Sequence, residues 1–252
     1  MSESILDELL KELHLSTMRD NYRRVAKDDS EKMDYLQTLS TLEVEKRKEN
    51  SDKSRITAAR FPTIKFLDAF DFTKQGGITK RDAMKLAECE FIDQKNNVVF
   101  LGPPGTGKTH LASALGYAAC RRGKRVLFTT AADLLLGLTA AKREDKMKAR
   151  LQMLDRIDLL IVDELGYIPF EQSATDLLYQ VISRRYERGS FIITTNLDFS
   201  EWTQVFPSAV AASAVVDRIV HHAHIFSLSG ESYRLAARRA GGRSPVKAKV
   251  AD

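Results

Sequence analysis

Residues 102–109 read GPPGTGKT, and the residues on either side of that octet decide the fold. The octet fits G-x-x-x-x-G-K-[ST], a loop that wraps nucleotide phosphates. Ahead of it stands NVVFL (97–101), a short run of β-branched and aromatic residues; behind it KTHLASALGYAA reads as a helix. Strand, glycine-rich loop and helix together are the context the motif needs. Glycine lets backbone N–H groups turn toward phosphate oxygens, and the helix N-terminus adds the positive end of its dipole. Gly102, Pro103, Pro104, Gly105, Thr106, Gly107, Lys108, Thr109 and His110 are therefore the candidate phosphate-binding residues. Lys108 is set to neutralise β- and γ-oxygens, and the Thr109 hydroxyl to reach Mg2+; the expected ligand is a nucleotide.

Working outward, four more runs share the character of NVVFL: RVLFTT (125–130), DLLIVD (158–163), FIITTN (191–196) and HIFSLS (224–229). Helical stretches separate them, at roughly 107–121, 131–155, 172–188 and 208–220. Continuous apolar strands alternating with helices imply a parallel α/β sheet covered on both faces. Ligands of such a sheet sit beyond the carboxyl ends of its strands. Two further signals fall there. In LLIVDELGY, Asp163 ends a buried strand, where its carboxylate can reach Mg2+, and Glu164 follows as a candidate general base. Asn196, at the end of FIITTN, is placed to hold the lytic water or the γ-phosphate.

The remaining chain is read more coarsely. Residues 1–60 look helical: Ile5, Leu6, Leu9, Leu10 and Leu13 form one stripe, Tyr22 and Val25 mark a second segment, and a third runs from an N-cap at Ser30 through Tyr35, Leu36, Leu39, Leu42 and Val44. FPTIKFLDAFDF follows as an aromatic-rich linker. Acids balance bases in 1–66 and again in 67–233, so the tail 234–252 carries the whole net charge of +5 and suits a polyanion. No apolar run approaches the ~20 residues of a membrane span, and the N-terminus lacks the pattern of a secretory signal. Cys89 and Cys120 have neither disulfide nor zinc spacing, so a reducing cytoplasm is expected.

Taken together, GPPGTGKT, IVDE, TTN and a helix ending in Arg before the last strand resemble the AAA+ ATPases. LDAFDF, LLIVDELGY, TTNLDFSEW and DRIVHHAHIFSLSGESYR narrow the resemblance to the IstB/DnaC-like group, and within it to IstB-like transposition helpers. The resemblance implies three segments: a small all-α domain over 1–66 for partner or DNA contact, an ATPase domain over 67–233, and a flexible basic tail over 234–252. It implies a five-stranded sheet in the order 5-1-4-3-2, counted from NVVFL, with ATP and Mg2+ at a contact between protomers. It also implies ATP-dependent homo-oligomers on duplex DNA, assisting a transposase in a bacterial cytoplasm. A helicase loader of the DnaC kind is the alternative. A small-molecule kinase fits poorly with Glu164, Asn196 and Arg218 together.

The same resemblance places Phe70, Asp71 and Phe72 near the adenine and gives Arg218 the role of a trans-acting arginine at a neighbour's γ-phosphate. The rival for that role is the cluster Arg184, Arg185 and Arg188. Arg234 stands where relatives carry a second sensing arginine, although only about 23 residues follow HIFSLS, so no C-terminal lid domain is expected. The long segment between the second and third strands looks like a helical insertion facing DNA, with Lys142, Arg143, Lys146, Lys148 and Arg150 as phosphate contacts; Arg19, Arg23 and Arg24 form a second candidate patch. His221, His222 and His224 precede and enter a strand whose alternation sends His221 and His224 to different faces, and no Cys or carboxylate cluster completes a ligand set, so no metal is expected there.

Overall fold

The computed structural model describes residues 3–25, 32–167 and 170–233. In chain order the elements are α1 (Glu3–Glu12), α2 (Ser16–Val25), α3 (Lys32–Ala59), β1 (Gln75–Gly76), α4 (Lys80–Ala87), α5 (Glu90–Asp93), β2 (Asn97–Leu101), α6 (Lys108–Arg121), β3 (Val126–Thr130), α7 (Ala131–Arg143), α8 (Met147–Asp155), β4 (Leu159–Leu165), α9 (Gln172–Arg185), β5 (Ser190–Thr195), α10 (Ala209–Val220), β6 (Ala223–Ser227) and β7 (Ser229–Gly230). They divide into two compact units, Met1–Ser54 and Arg55–Asp252.

The first unit is helical. Tyr22, Val25 and Leu39 form its buried centre, with Leu10, Met18, Tyr35 and Leu42 packed around them. Glu43 ties α2 to α3 by accepting from Met18 N at 3.0 Å. The stripe of α1 is only partly used: Leu10 joins the core, whereas Leu6, Leu9 and Leu13 stay exposed. The Ser30 N-cap lies outside the described residues.

The second unit is built on a parallel sheet in the order β3-β4-β5-β2-β6. Counted from β2, that is the 5-1-4-3-2 arrangement. Side chains alternate between its two faces. Val99, Leu101, Leu160, Val162 and Ile193 meet α7–α10 on one side. Val98, Phe100, Leu159, Ile161 and Ile192 meet α4–α6 on the other. Every residue of β2 is buried, which is why its sequence is a continuous apolar run rather than an alternating one. Truncating a fully buried strand residue, Ile161 of β4 for example, to Ala costs about 2–5 kcal/mol. This unit begins ahead of residue 67, because Ala59 is fully buried in its core and Phe61 packs edge-on against Phe128.

Two features depart from the sequence reading. The expected helix over 131–155 is two helices, broken where Asp145 takes a left-handed backbone (φ 54°). Residues 73–96, read as no element, hold α4, α5 and β1. β1 pairs antiparallel with β7, Gln75 opposite Gly230, and this two-residue ladder ties the segment after the linker to the segment after the last sheet strand. Among the described residues no helix is long and apolar enough to cross a membrane. Cys89 and Cys120 are free and buried. The tail from Arg234 to Asp252, and with it the expected lack of a lid, lies outside the described residues.

Candidate active site

The loop between β2 and α6 borders a cavity of about 470 Å3, within the range of small-molecule sites. Pro104, Gly105, Gly107, Lys108, Thr109 and His110 line it, together with Phe70, Glu164, Thr194, Thr195, Asn196 and Tyr233. Two glycines are compelled by their surroundings. Gly102 has φ 136°, and a Cβ there would lie 2.1 Å from the Leu228 carbonyl oxygen. Gly107 has φ 91°, and its Cβ would meet Phe70 Cε2 at 2.5 Å. Thr106 is fully buried and donates to Pro103 O at 2.9 Å, so its side chain braces the loop while its backbone stays part of it. Gly102 and Pro103 stand at the loop's base, off the cavity lining, where their carbonyls accept from Lys108 Nζ at 2.6 and 2.8 Å.

At the carboxyl end of β4, Thr194 links the two candidate carboxylates. Its hydroxyl donates to Asp163 Oδ1 and accepts from Glu164 N at 3.0 Å. Asp163 is buried and also accepts from the Thr109 hydroxyl, 3.0 Å from each oxygen. The β4–β5 register shifts between Val162 and Leu165, and Glu164 has φ 60° inside that irregularity. A non-glycine residue held there is strained. The strain turns its side chain to the exposed side, into the cavity, while its neighbours Asp163 and Leu165 stay buried. Asn196 follows β5 directly, and its Oδ1 is buried without a hydrogen-bond partner.

The other end of the cavity is aromatic. Phe70 is buried, with Phe72 at 4.7 Å, His110 at 5.4 Å and Tyr233 at 6.0 Å between ring centroids. His110 Nε2 donates to Phe66 O at 2.9 Å. Phe72 stands behind Phe70, off the cavity lining, and so does Asp71. The Asp71 carboxyl is held down to about 2 by a hydrogen bond from the Thr73 hydroxyl and by Lys74. Its carbonyl accepts from Tyr233 OH at 2.6 Å, while Tyr233 N donates to Gly105 O at 3.0 Å. Burial raises the Tyr233 phenol above its ordinary range, so it stays a donor at neutral pH. Sequence reasoning missed Tyr233 and Thr194. The TT preceding Asn196 was a usable signal for Thr194; nothing local marks Tyr233, which reaches the loop only through the β1–β7 ladder.

The residues present fit a nucleotide and its cation. Lys108 spends its donors on its own loop's carbonyls, which phosphate oxygens can replace. Asn196 holds an unused buried acceptor, and Thr109 and Asp163 offer hard oxygens side by side.

Arg218 lies elsewhere. It ends α10 just before β6, and Asn97, the first residue of β2, donates its side-chain amide to Ile219 O at 2.8 Å. Arg218 is thus at the amino ends of the strands, about 15 Å, one strand length, from the loop at their carboxyl ends. It is half-buried, stacked over the Tyr179 ring at 4.8 Å, and donates to Ala214 O at 2.9 Å. Its rivals differ in kind. Arg184 pairs with Asp155. Arg188 is exposed. Arg185 is only 2% exposed and donates to the carbonyls of Leu154, Ile157, Asp158 and Ser190. Burial lowers its guanidinium to about 10, which leaves it charged at neutral pH and occupied as a strut between α8, β4 and β5.

The basic candidates for DNA separate similarly. Lys142, Arg143 and Lys148 are exposed at the α7–α8 corner, and Lys146 pairs with Glu144 at 2.8 Å. Arg150 leaves that group: half-buried, it lines a second cavity with Arg60, and its Nε is buried without a partner. In the first unit Arg19 pairs with Asp20 at 3.3 Å and Arg23 with Asp7 at 2.6 Å, while Arg24 bonds Asn21 at 3.2 Å. Arg234 lies outside the described residues.

A parallel 5-1-4-3-2 sheet with a phosphate loop after its first strand, a carboxylate pair after its third and an amide after its fourth defines an AAA+ P-loop ATPase. Residues 8–241 match the family described as IstB-like ATP binding protein. The chain belongs to that family. It is 38% identical over 238 residues to the insertion sequence IS5376 ATP-binding protein of Geobacillus stearothermophilus, covering 93% of this chain and 95% of that one. It is 38% identical over 239 residues to the insertion sequence IS21 ATP-binding protein of Pseudomonas aeruginosa, covering 94% and 90%. Among solved structures it is similar in fold to the DnaC helicase loader, with a TM-score of 0.52 at 24% identity over 65% of this chain and 96% of that one.

Proposed function

We propose that this chain binds ATP with Mg2+, assembles head to tail with its own copies on duplex DNA in the bacterial cytoplasm, and assists the transposase of a mobile element in capturing its target. The observation that carries this reading is the separation of Arg218 from the nucleotide cavity along one sheet. Within one chain the two ends of a packed strand cannot meet, so Arg218 stands away from its own cavity, which supports a role for it at the cavity of a second copy.

In this reading the loop's N–H groups hold the phosphates, and Lys108 leaves its own carbonyls for β- and γ-oxygens. Thr109 and Asp163 hold Mg2+, which neutralises developing charge on the phosphates. Glu164 accepts the proton of the attacking water, and the Asn196 amide orients that water. A neighbour's Arg218 exchanges the Tyr179 face and the Ala214 carbonyl for the γ-phosphate, to which its fixed fork of donors is suited. Phe70 and Tyr233 flank the adenine. Lys142, Arg143, Lys146 and Lys148 bind DNA phosphates in a manner independent of sequence and weakened by salt. Arg19 and Arg23, already paired with acids, contribute less.

Mixing two inactive variants tests the proposal. Arg218→Ala keeps Glu164, and Glu164→Gln keeps Arg218. In a head-to-tail assembly formed at random from equal parts, about one quarter of sites regain both groups, so turnover on duplex DNA recovers to about that fraction of wild type. No recovery, or full activity of Arg218→Ala alone, refutes the trans arrangement. Activation by single-stranded DNA in place of duplex favours the helicase-loader alternative.

A further inference from the structure

We propose that Glu187, His221 and His222 form a binding site for a transition-metal dication such as Zn2+, at the amino ends of the strands. The three residues come from two segments that folding brings together: Glu187 from the turn between α9 and β5, the histidines from the end of α10. One ligand atom of each lies within 4.8 Å of the others. His222 Nε2 and Glu187 Oε1 are 3.7 Å apart. Bonds of about 2.0–2.2 Å in a tetrahedron put ligand atoms about 3.3–3.6 Å apart, so this pair already spans nearly the right edge. The third ligand needs a shift of about 1 Å, within the reach of an exposed imidazole.

The donor set decides the class of ion. Two imidazoles and a carboxylate suit Zn2+, Cu2+ or Ni2+, whereas Mg2+ and Ca2+ favour oxygen alone. Tyr186 OH bonds His221 Nδ1 at 2.7 Å, a contact that orients the ring. Both segments are anchored through their backbones. Arg188 N and Gly189 N donate to Arg185 O at 2.9 Å, which holds Glu187 in its left-handed conformation, φ 58°. His222 O accepts from Asn97 N at 2.7 Å. The sequence hid this set because its carboxylate lies more than thirty residues upstream of the histidines. Three protein ligands leave a position open to water or to a donor from another molecule. His221 lies one turn after Arg218 on the same helix, so a bound ion joins the ends of α9 and α10 and pins the turn that carries Arg218.

The test is a Zn2+ titration of the untagged full-length chain against a chromophoric chelator, repeated with Co2+ to read the tetrahedral absorption bands. It uses neither ATP nor DNA, so its outcome is independent of the functional reading. One ion per chain is expected. Glu187→Gln, His221→Ala and His222→Ala each lose at least about tenfold in affinity, and His224→Ala, in the next strand, binds as wild type. All of these side chains are exposed, and circular dichroism is the check that each variant folds. Wild-type affinity in Glu187→Gln and His222→Ala, or equal losses in His224→Ala, overturns the site and leaves an exposed His222–Glu187 ion pair.

Discussion

Replacing Arg185 by Met separates a strut from a catalytic arginine. Met fills much of the same stem volume but removes every donor. Four carbonyls then lose a partner: Leu154 at 2.7 Å and Ser190 at 2.9 Å, both buried, and Ile157 at 2.9 Å and Asp158 at 3.4 Å, both partly buried. A buried acceptor left unsatisfied costs about 1–3 kcal/mol; Leu154 O keeps Ile157 N and Asp158 O keeps Ser190 N, so Ser190 O contributes about 2 and the other three together about 2. Relief from holding a desolvated charge returns about 2 kcal/mol, leaving a net loss of about 2 kcal/mol. The chain's one tryptophan, Trp202, is 1% exposed and sits in the same core between Phe199 and Phe206, so its fluorescence reports this unit's unfolding. With a urea slope of about 2 kcal/mol per molar, the midpoint falls by about 1 M. Arg185→Lys recovers little, because a point ammonium cannot span carbonyls on separate segments. A shift below about 0.3 M together with lost ATP turnover would refute the reasoning and return Arg185 to the nucleotide.

Two further outcomes follow from the cavity. Lys108→Ala loses two charge-assisted contacts to phosphate and weakens ATP binding by about a hundredfold in a fluorescent-nucleotide titration; undiminished affinity contradicts the phosphate loop as drawn. Glu164→Gln keeps the shape and the backbone bond to Thr194, so nucleotide affinity holds while turnover falls by about 10²–10⁴-fold, and wild-type turnover removes Glu164 from the role of base.

What could be read in the sequence follows from how far apart the cooperating residues are. The loop, Asp163, Glu164 and Asn196 each end a continuous apolar run, and parallel pairing carries those ends to one side of the sheet. The same logic yields the strand order only through the family resemblance, since apolar runs do not say which strand neighbours which. Tyr233 was illegible because its position depends on two-residue strands at Gln75 and Gly230, too short for any periodicity. Arg185 and Arg184 look alike in sequence, and only the turn of α9 separates the one facing the core from the one facing Asp155. Arg150 reads as one more base in a basic helix, yet its position on α8 sets it against Gly137 and away from Lys148. Charge composition reports that a segment is basic; the helical period decides which bases share a face.

The edge strand β6 joins the two halves of this chemistry within one chain. It pairs in unbroken register with β2, from Asn97 opposite Ala223 to Leu101 opposite Ser227. At its start stands the helix end that carries Arg218. At its finish Leu228 N donates to Leu101 O at 2.8 Å, and five residues later Tyr233 N donates to Gly105 O in the phosphate loop. A strand held by a continuous ladder moves as a unit, because sliding one residue would exchange its two faces. In the proposed assembly, displacement of Arg218 toward a neighbour would therefore be absorbed beyond the strand, in the α10–β6 turn or in the clasp of residues 228–233. The α10–β6 turn is fastened by Asn97 to Ile219 and His222. The clasp is fastened by the β1–β7 ladder and by Gln75 Nε2 donating to Glu231 O at 2.9 Å. With both ends tied, the proposed engagement of Arg218 by a second copy would bear on the same backbone that lines the first copy's nucleotide cavity.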